Sequence, residues 1–406
     1  MDDIKVLVVD DSAFMRNIIS KIIEATPGLF AVGKAMNGKY ALEKIPLVNP
    51  DIIILDIEMP EMNGIEFLKE RKRRNIDIPV IVLSSIAQEG AAVTMQCLSL
   101  GASDFLTKPS AGANDLGELA KNLSELLVSY GGQYKRTKCV QSKRNFVQNK
   151  TDSNFITDKK REVVSSFTEK RPTSISVSSD KTPETPDSTN RPFSFSSNQE
   201  KKEIPEIVPL REPGKIEVIA IGISTGGPNA LREVFAKIDP NLAQPILVVQ
   251  HMPAGFTAEF ANSLNQICPL EVKEAKDGDL VKPGRILIAP GSMHMLVEQR
   301  SLATIVRLSD APLCNGHRPS VDILFESVAK CYQNKALGVI MTGMGRDGAL
   351  QLAEMRKQGA WTLGQDEESS IVYGMPKVAY EYGGVQRQVS LSEMANAISK
   401  LAKDHR

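Results

Sequence analysis

IEVIAIGISTGGPNALREVFAKI, residues 216–238, decides the architecture of the larger part of this chain. The apolar run from Ile216 to Ile221 reads as a buried parallel strand, and the pattern from Asn229 to Ile238 has the helical period. Between them GISTGGP, 222–228, makes the turn. A dinucleotide-binding loop needs glycine at its first, third and sixth positions, so that backbone can approach a pyrophosphate. Those positions here are Gly222, Ser224 and Gly227. The unit therefore presents a hydroxyl at the carboxyl end of a strand, beside amides that open a helix and can stabilise a developing oxyanion. A serine nucleophile is displayed in this way.

Outward from this unit the same alternation continues. Strands are predicted near 216–221, 245–250, 285–289 and 336–341, with a β-hairpin near 293–307 and a closing amphipathic helix near 391–403. Residues 1–130 alternate apolar runs, among them VLVVD, IIILD, VIVLSS and DFLTKP, with helical patterns, and read as five βα units. Residues 131–214 change texture to Ser, Thr, Asn, Pro and Lys, as in KTPETPDSTNRPFSFSSNQEKK. Such a composition buries too little apolar surface to offset its ordering entropy and reads as a disordered linker. The expected fold class is α/β, with two doubly wound parallel-sheet domains at 1–130 and 215–406.

Composition narrows the function classes. Formal net charge is zero, so no global field recruits nucleic acid or membrane. Cys97, Cys139, Cys268, Cys314 and Cys331 lack CxxC spacing, which argues against a zinc site or a disulfide framework. MDDIKVLVVDD has no signal-peptide character and no run reaches membrane-spanning length, so the expectation is a cytoplasmic protein.

Functional residues of open α/β sheets gather where strands end. In the first domain Asp10 and Asp11 end the first strand, Asp56 the third, Ser84 the fourth and Lys108 the fifth. Carboxylates crowded on one edge repel unless a hard cation neutralises them, and Mg²⁺ is the natural candidate. Each aspartate alone reads as a helix cap; five such positions in order do not. The motifs VVDDS at 8–12, LDIEMPEMNG at 55–64, LSS at 83–85 and TKPS at 107–110 resemble the receiver domain of bacterial response regulators. The resemblance implies that Asp56 accepts a phosphoryl group from a histidine kinase. It also implies that Asp10, Asp11, Asp56 and the Glu58 backbone carbonyl hold Mg²⁺, and that Ser84 and Lys108 bind phosphoryl oxygens. Phe105 reads equally as a core residue or as an aromatic that reorients on activation, and the resemblance leaves a cis Lys108–Pro109 peptide open.

In the second domain the strand at 245–250 leads into His251, where a dinucleotide fold would carry an acid. The strand at 336–341 runs into TGMGRDG, 342–348, with Asp347 at a predicted helix start. Ser224, His251 and Asp347 can thus meet on one edge. A serine hydroxyl needs a base, and the base needs a partner that holds its tautomer. Singly, Ser224 and Asp347 read as caps, and His294 and His317 compete for the base, although neither sits at a strand end. No HExxH pattern is present.

GISTGGP, QHMPAGF at 250–256, IAPG at 288–291 and MTGMGRDGA at 341–349 together resemble the chemotaxis protein-glutamate methylesterases, the CheB family. The resemblance implies a flavodoxin-like receiver followed by a Rossmann-like methylesterase domain without a cofactor of its own. It implies hydrolysis of glutamate γ-methyl esters, and deamidation of certain glutamines, on chemoreceptors. Ser224 would be the nucleophile, His251 the base and Asp347 its partner, with Thr225 and Met344 near the oxyanion hole. A chemotaxis histidine kinase would supply the phosphoryl group; nucleic acid and membrane insertion have no part. The alternatives are a serine esterase for another methylated protein, and a response regulator whose second domain only binds.

Overall fold

The structure, a computed structural model, describes residues 3–85, 88–109, 113–154 and 204–406. Most of the expected linker falls outside the described residues.

The first sheet comprises β1 (Ile4–Val9), β2 (Leu29–Ala35), β3 (Ile52–Asp56), β4 (Val80–Ser84) and β5 (Asp104–Thr107), all parallel in the order β2-β1-β3-β4-β5. Its helices are α1 (Ala13–Ala25), α2 (Gly38–Val48), α3 (Gly64–Arg73), α4 (Gln88–Ser99) and α5 (Ala113–Asn154). This is the flavodoxin-like order, and β1, β3, β4 and β5 all end on the edge that carries the acidic residues. Strands β3 and β4 are buried along their whole length, as helices on both faces require.

α5 departs from expectation. Composition assigns residues from 131 onward to the linker, yet the helix continues through Gly131 and Gly132 to Asn154. The reason is packing: a Cβ on Gly131 would meet Ile4 Cγ2 at 2.4 Å, so glycine is needed for close approach to β1. Beyond the glycines, Tyr134 donates a hydrogen bond to Asp77. Residues 204–214, assigned to the linker from composition, lie against the second body: the Leu210 amide donates to Lys357 O, and the Gly214 amide donates to Asn334 O.

The second body has β6 (Val218–Ile223), β7 (Ile246–Gln250), β8 (Glu271–Glu274), β9 (Arg285–Ile288), β10 (His294–Gln299), β11 (Thr304–Ser309), β12 (Ala336–Ile340), β13 (Trp361–Gln365) and β14 (Arg387–Val389). Seven of these form one parallel sheet, β14-β13-β12-β6-β7-β9-β8, while β10 and β11 pair antiparallel as the expected hairpin. The helices are α6 (Gly227–Ala236), α7 (Phe256–Asn265), α8 (Val321–Tyr332), α9 (Ala349–Lys357), α10 (Met375–Glu381) and α11 (Leu391–Asp404). Strand order reverses at β6, between β12 and β7, which is where an open parallel sheet opens a crevice. Ile223 pairs with Gln250 and Gly222 with Ile340, so the three strands end level.

The glycines of 222–228 now have physical reasons. Gly226 caps α6 at φ 78°, a left-handed conformation costly for other residues. Gly222 lies under α8, where a Cβ would stand 2.2 Å from Val321 Cγ1. Gly222→Ala should therefore cost about 1–3 kcal/mol through overpacking of a rigid layer. A fall in the thermal midpoint is expected, and a wild-type melting curve would contradict this account.

Both sheets belong to one compact unit. The Asp104 carboxylate accepts the Gly226 amide at 2.9 Å, and Asn229 Nδ2 donates to Ala102 O at 2.9 Å and Ser103 O at 2.8 Å. Phe105 stacks on Phe256, with centroids 5.0 Å apart. The start of β5 thus covers the amino ends of α6 and α7.

Candidate active site and phosphoryl site

Ser224 follows β6, His251 follows β7, and Asp347 follows β12 through a glycine-rich turn. The Ser224 Oγ lies 3.1 Å from His251 Nδ1, and His251 Nε2 lies 2.8 Å from Asp347 Oδ2. An ionised carboxylate only accepts, so the ring proton sits on Nε2 and the Nδ1 lone pair faces the serine hydroxyl. The nitrogens are used in the opposite sense to the serine-protease template, in which Nε2 meets the serine. Ser224 is half-buried, and the His251 side chain is only 8% exposed.

Asp347 does not cap its own helix; Gly348 does. Its carboxylate instead receives the amino end of α8, accepting from the Val321 amide at 2.7 Å and the Asp322 amide at 3.2 Å. Ser320 Oγ at 2.7 Å and Asn315 Nδ2 at 2.9 Å add two more donors. Burial by itself would raise the Asp347 pKa, but the His251, Ser320 and Asn315 contacts outweigh it and hold the carboxyl well below the usual range. The group is a fixed anion.

The other two histidines separate clearly. His294 is buried and structural: its Nδ1 accepts from the Ser320 amide at 3.2 Å and its Nε2 donates to Pro312 O at 3.1 Å. His317, away from any strand end in sequence, nevertheless stacks on His251 with centroids 3.9 Å apart and planes 13° from parallel. Thr225 and Met344 are half-buried beside the site, and the Thr225 carbonyl accepts from Thr342 Oγ1. Gly343 is tight against the nucleophile, since a Cβ there would meet Ser224 Cβ at 2.8 Å.

On the first sheet Asp10, Asp11 and Asp56 bring carboxylate oxygens within 4.8 Å of one another. Lys108 Nζ lies 2.7 Å from Asp56 Oδ1 and 3.5 Å from Asp10 Oδ2. Burial raises the Asp56 pKa, with Lys108 pulling against it. Asp10 Oδ2 is buried and, apart from the Lys108 ammonium at 3.5 Å, has no hydrogen-bond partner, so the cluster presents an acceptor of the kind a hard cation takes up. Glu58 is exposed two residues beyond Asp56. The Ser84 hydroxyl is turned to α4, where it meets Thr94 Oγ1 at 2.6 Å and Gly90 O at 3.3 Å. Phe105 is half-buried and belongs to the contact between the sheets. The Lys108–Pro109 peptide is not cis; among the described residues the cis bond is Arg318–Pro319. Trans is the cheaper isomer, and Lys108 reaches both carboxylates from it.

Fold and site define a serine–histidine–aspartate constellation at the reversal point of a parallel α/β sheet, overlain by a receiver-type sheet with an acidic pocket. Residues 219–398 match the profile of the CheB methylesterase domain, and residues 6–121 match that of the response regulator receiver domain. A Treponema denticola protein named protein-glutamate methylesterase/protein-glutamine glutaminase is 55% identical over 405 residues, covering 100% of both chains. A Treponema pallidum protein of the same name is 52% identical, covering 99% of this chain and 98% of its own. The crystal structure of the Thermotoga maritima CheB methylesterase catalytic domain is 37% identical, with TM-score 0.45, over 46% of this chain and 98% of that one. The chain belongs to the CheB methylesterase family, with an amino-terminal receiver domain.

Proposed function

We propose that the chain is a phosphorylation-activated methylesterase and glutaminase of chemoreceptors, working in the cytoplasm through Ser224, His251 and Asp347. The unbroken relay of hydrogen bonds from Ser224 through His251 to Asp347 carries this reading.

His251 Nδ1 takes the Ser224 proton as Oγ attacks the γ-carbonyl of a glutamate methyl ester. Asp347 holds the proton on Nε2 and stabilises the imidazolium. The amides of Thr225 and Met344 face the developing oxyanion. The imidazolium returns its proton to the departing methoxide, so methanol leaves and the acyl-enzyme remains. Water, deprotonated by His251, then releases the glutamate carboxylate. A glutamine follows the same course, with ammonia as the protonated leaving group.

Regulation is assigned to the receiver, domain 1–130, acting on domain 215–406 across residues 131–214. Asp56 takes a phosphoryl group from a chemotaxis histidine kinase. Asp10, Asp11, Asp56 and the Glu58 carbonyl are the residues that would hold Mg²⁺, which when bound offsets the charge of carboxylates and phosphoryl group alike. Lys108 then trades its Asp56 contact for a phosphoryl oxygen, and Ser84 leaves Thr94 for another. No nucleic acid enters this scheme; among the described residues no helix is long and apolar enough to cross a membrane.

The test is methanol release from methylated chemoreceptor by wild type and Asp56→Asn, each with and without a small phosphodonor and Mg²⁺. Wild-type release should rise with phosphodonor and Asp56→Asn release should not. A wild type that never yields methanol would turn the reading toward another ester, or toward a binding role.

A further inference from the structure

Residues 314–317, Cys-Asn-Gly-His, form a turn that serves the site twice. Cys314 and His317 exchange backbone hydrogen bonds of 3.1 and 2.9 Å, and Asn315 and Gly316 between them have φ 53° and 82°. Two consecutive left-handed residues in a two-residue loop make a type I′ turn, for which Asn-Gly is the preferred pair. Such a turn has little freedom, so the directions of its flanking side chains are set together. From it Asn315 Nδ2 donates to Asp347 Oδ1 at 2.9 Å and to Asp322 Oδ2 at 2.6 Å. From it, too, the His317 ring is laid on the face of His251.

We infer that His317 is a positioning residue of the esterase site: its ring, held by this turn, keeps the His251 imidazole in the plane that joins Ser224 to Asp347. The inference rests on the Ser224–His251–Asp347 reading of the preceding section. His251 follows the last residue of β7, and its two ring contacts fix the ring edges but not the tilt of its faces. A parallel ring at 3.9 Å limits that tilt and keeps water off one face. Misplacement of a reacting group by about 1 Å costs on the order of a hundredfold in rate.

His317 suits this task because it stays uncharged beside a ring that must accept a proton. Burial, then the neighbouring His251, push its pKa down to about 4. The other charged groups about the pair are Asp347, Asp322 at the start of α8, and Lys121 on α5, whose ammonium also opposes a charge on His317. Among the described residues, the hydrogen bonds of Ser224 Oγ and of the Asp347 carboxylate do not involve His317, so it is not a second base.

The experiment compares His317→Ala, His317→Phe and Ser224→Ala in the full chain, stimulated by phosphodonor, on methylated receptor. His317→Ala should lower kcat about ten- to a hundredfold with little change in KM. His317→Phe, which restores a flat ring without a titrating group, should recover most of that loss. The acid limb of the kcat/KM profile should move to higher pH in the alanine variant, where His251 regains water, and stay in place in the phenylalanine variant. Wild-type kcat in His317→Ala overturns the inference, as does a phenylalanine variant as slow as the alanine one. So does a loss that tracks a lowered melting point with an unmoved pH limb. Methanol release surviving in Ser224→Ala would instead overturn the esterase reading itself.

Discussion

Ser224→Ala should lower methanol release by about 10⁴-fold or more, and Asp347→Asn by about 10³–10⁴-fold. The first removes the atom that forms the acyl-enzyme. The second leaves Ser224 and His251 in place but replaces an anion with an amide whose NH₂ must face a donor. Nε2 of His251 then loses its acceptor, the ring can carry its proton on Nδ1, and that nitrogen can no longer take one from Ser224. Groups that act as a unit do not add, so the double variant should be no slower than Ser224→Ala alone. Multiplying losses would show that the two residues act separately.

Asp347→Asn should also destabilise the domain. Five donors converge on this carboxylate, including two amides that open α8. Leaving one or two unsatisfied costs about 2–4 kcal/mol, which a lowered urea midpoint would report. The pH dependence follows from the sign of the shift. The folded pKa of Asp347 lies below its ordinary 3.8, so its stabilisation is complete above that value and is lost as pH falls through the folded one. Between pH 5 and 8 the wild-type advantage over the asparagine variant should therefore be constant, and it should shrink only in stronger acid. Ser224→Ala, whose hydroxyl meets only the His251 ring among the described side-chain contacts, should melt close to wild type.

The second large effect concerns the receiver. Asn229→Ala should raise the unstimulated rate about ten- to thirtyfold and leave the phosphodonor-stimulated rate unchanged. Asn229 donates to two receiver carbonyls, Ala102 O and Ser103 O, from the first turn of α6. Each bond contributes a net ~1 kcal/mol, so removing both shifts a closed–open equilibrium by about the stated factor. If phosphorylation acts by parting the receiver from α6, nothing remains for the variant to add once it has acted. An equal rise in both rates, or none, would mean that this contact does not hold the receiver closed.

Asp104 adds a pH dependence of stability. Burial raises its pKa to about 6, with the Gly226 amide pulling the other way. A carboxyl raised on folding stabilises the fold when protonated: this contribution is complete below about 3.8 and is lost as pH rises through about 6. Between pH 5 and 7 the thermal midpoint of the wild type should therefore fall relative to that of Asp104→Asn, and a constant difference would contradict this assignment.

Local pattern was enough for most strands that are buried evenly, although β13 (WTLGQ), between β12 and β14, was not among those expected. β3, β4, β6, β7 and β12 are apolar runs because helices cover both faces of a parallel sheet. Ser224, His251 and Asp347 were legible for the related reason that each follows such a run. β8 (EVKE) and β14 (RQV) escaped notice because they lie at the sheet edges, where charge is tolerated and the apolar signal fades. α5 beyond residue 130 was missed because a glycine pair that breaks an isolated helix is required where that helix meets Ile4. An Asn-Gly pair at 315–316 signals a tight turn wherever it stands, and the sequence could have located it.

Residue order determined that two parallel α/β sheets form, that each gathers reactive groups at its strand ends, and that a serine, a histidine and an aspartate share one edge, because strand period and strand termini are written locally. Tertiary structure alone decided that Asp347 receives α8, that His317 lies on His251, and that Asp104 reaches Gly226 across 122 residues. These contacts join segments far apart in the chain, and which segments meet depends on the order of strands and on how helices close over them, a property of the packed whole that no single stretch of residues contains.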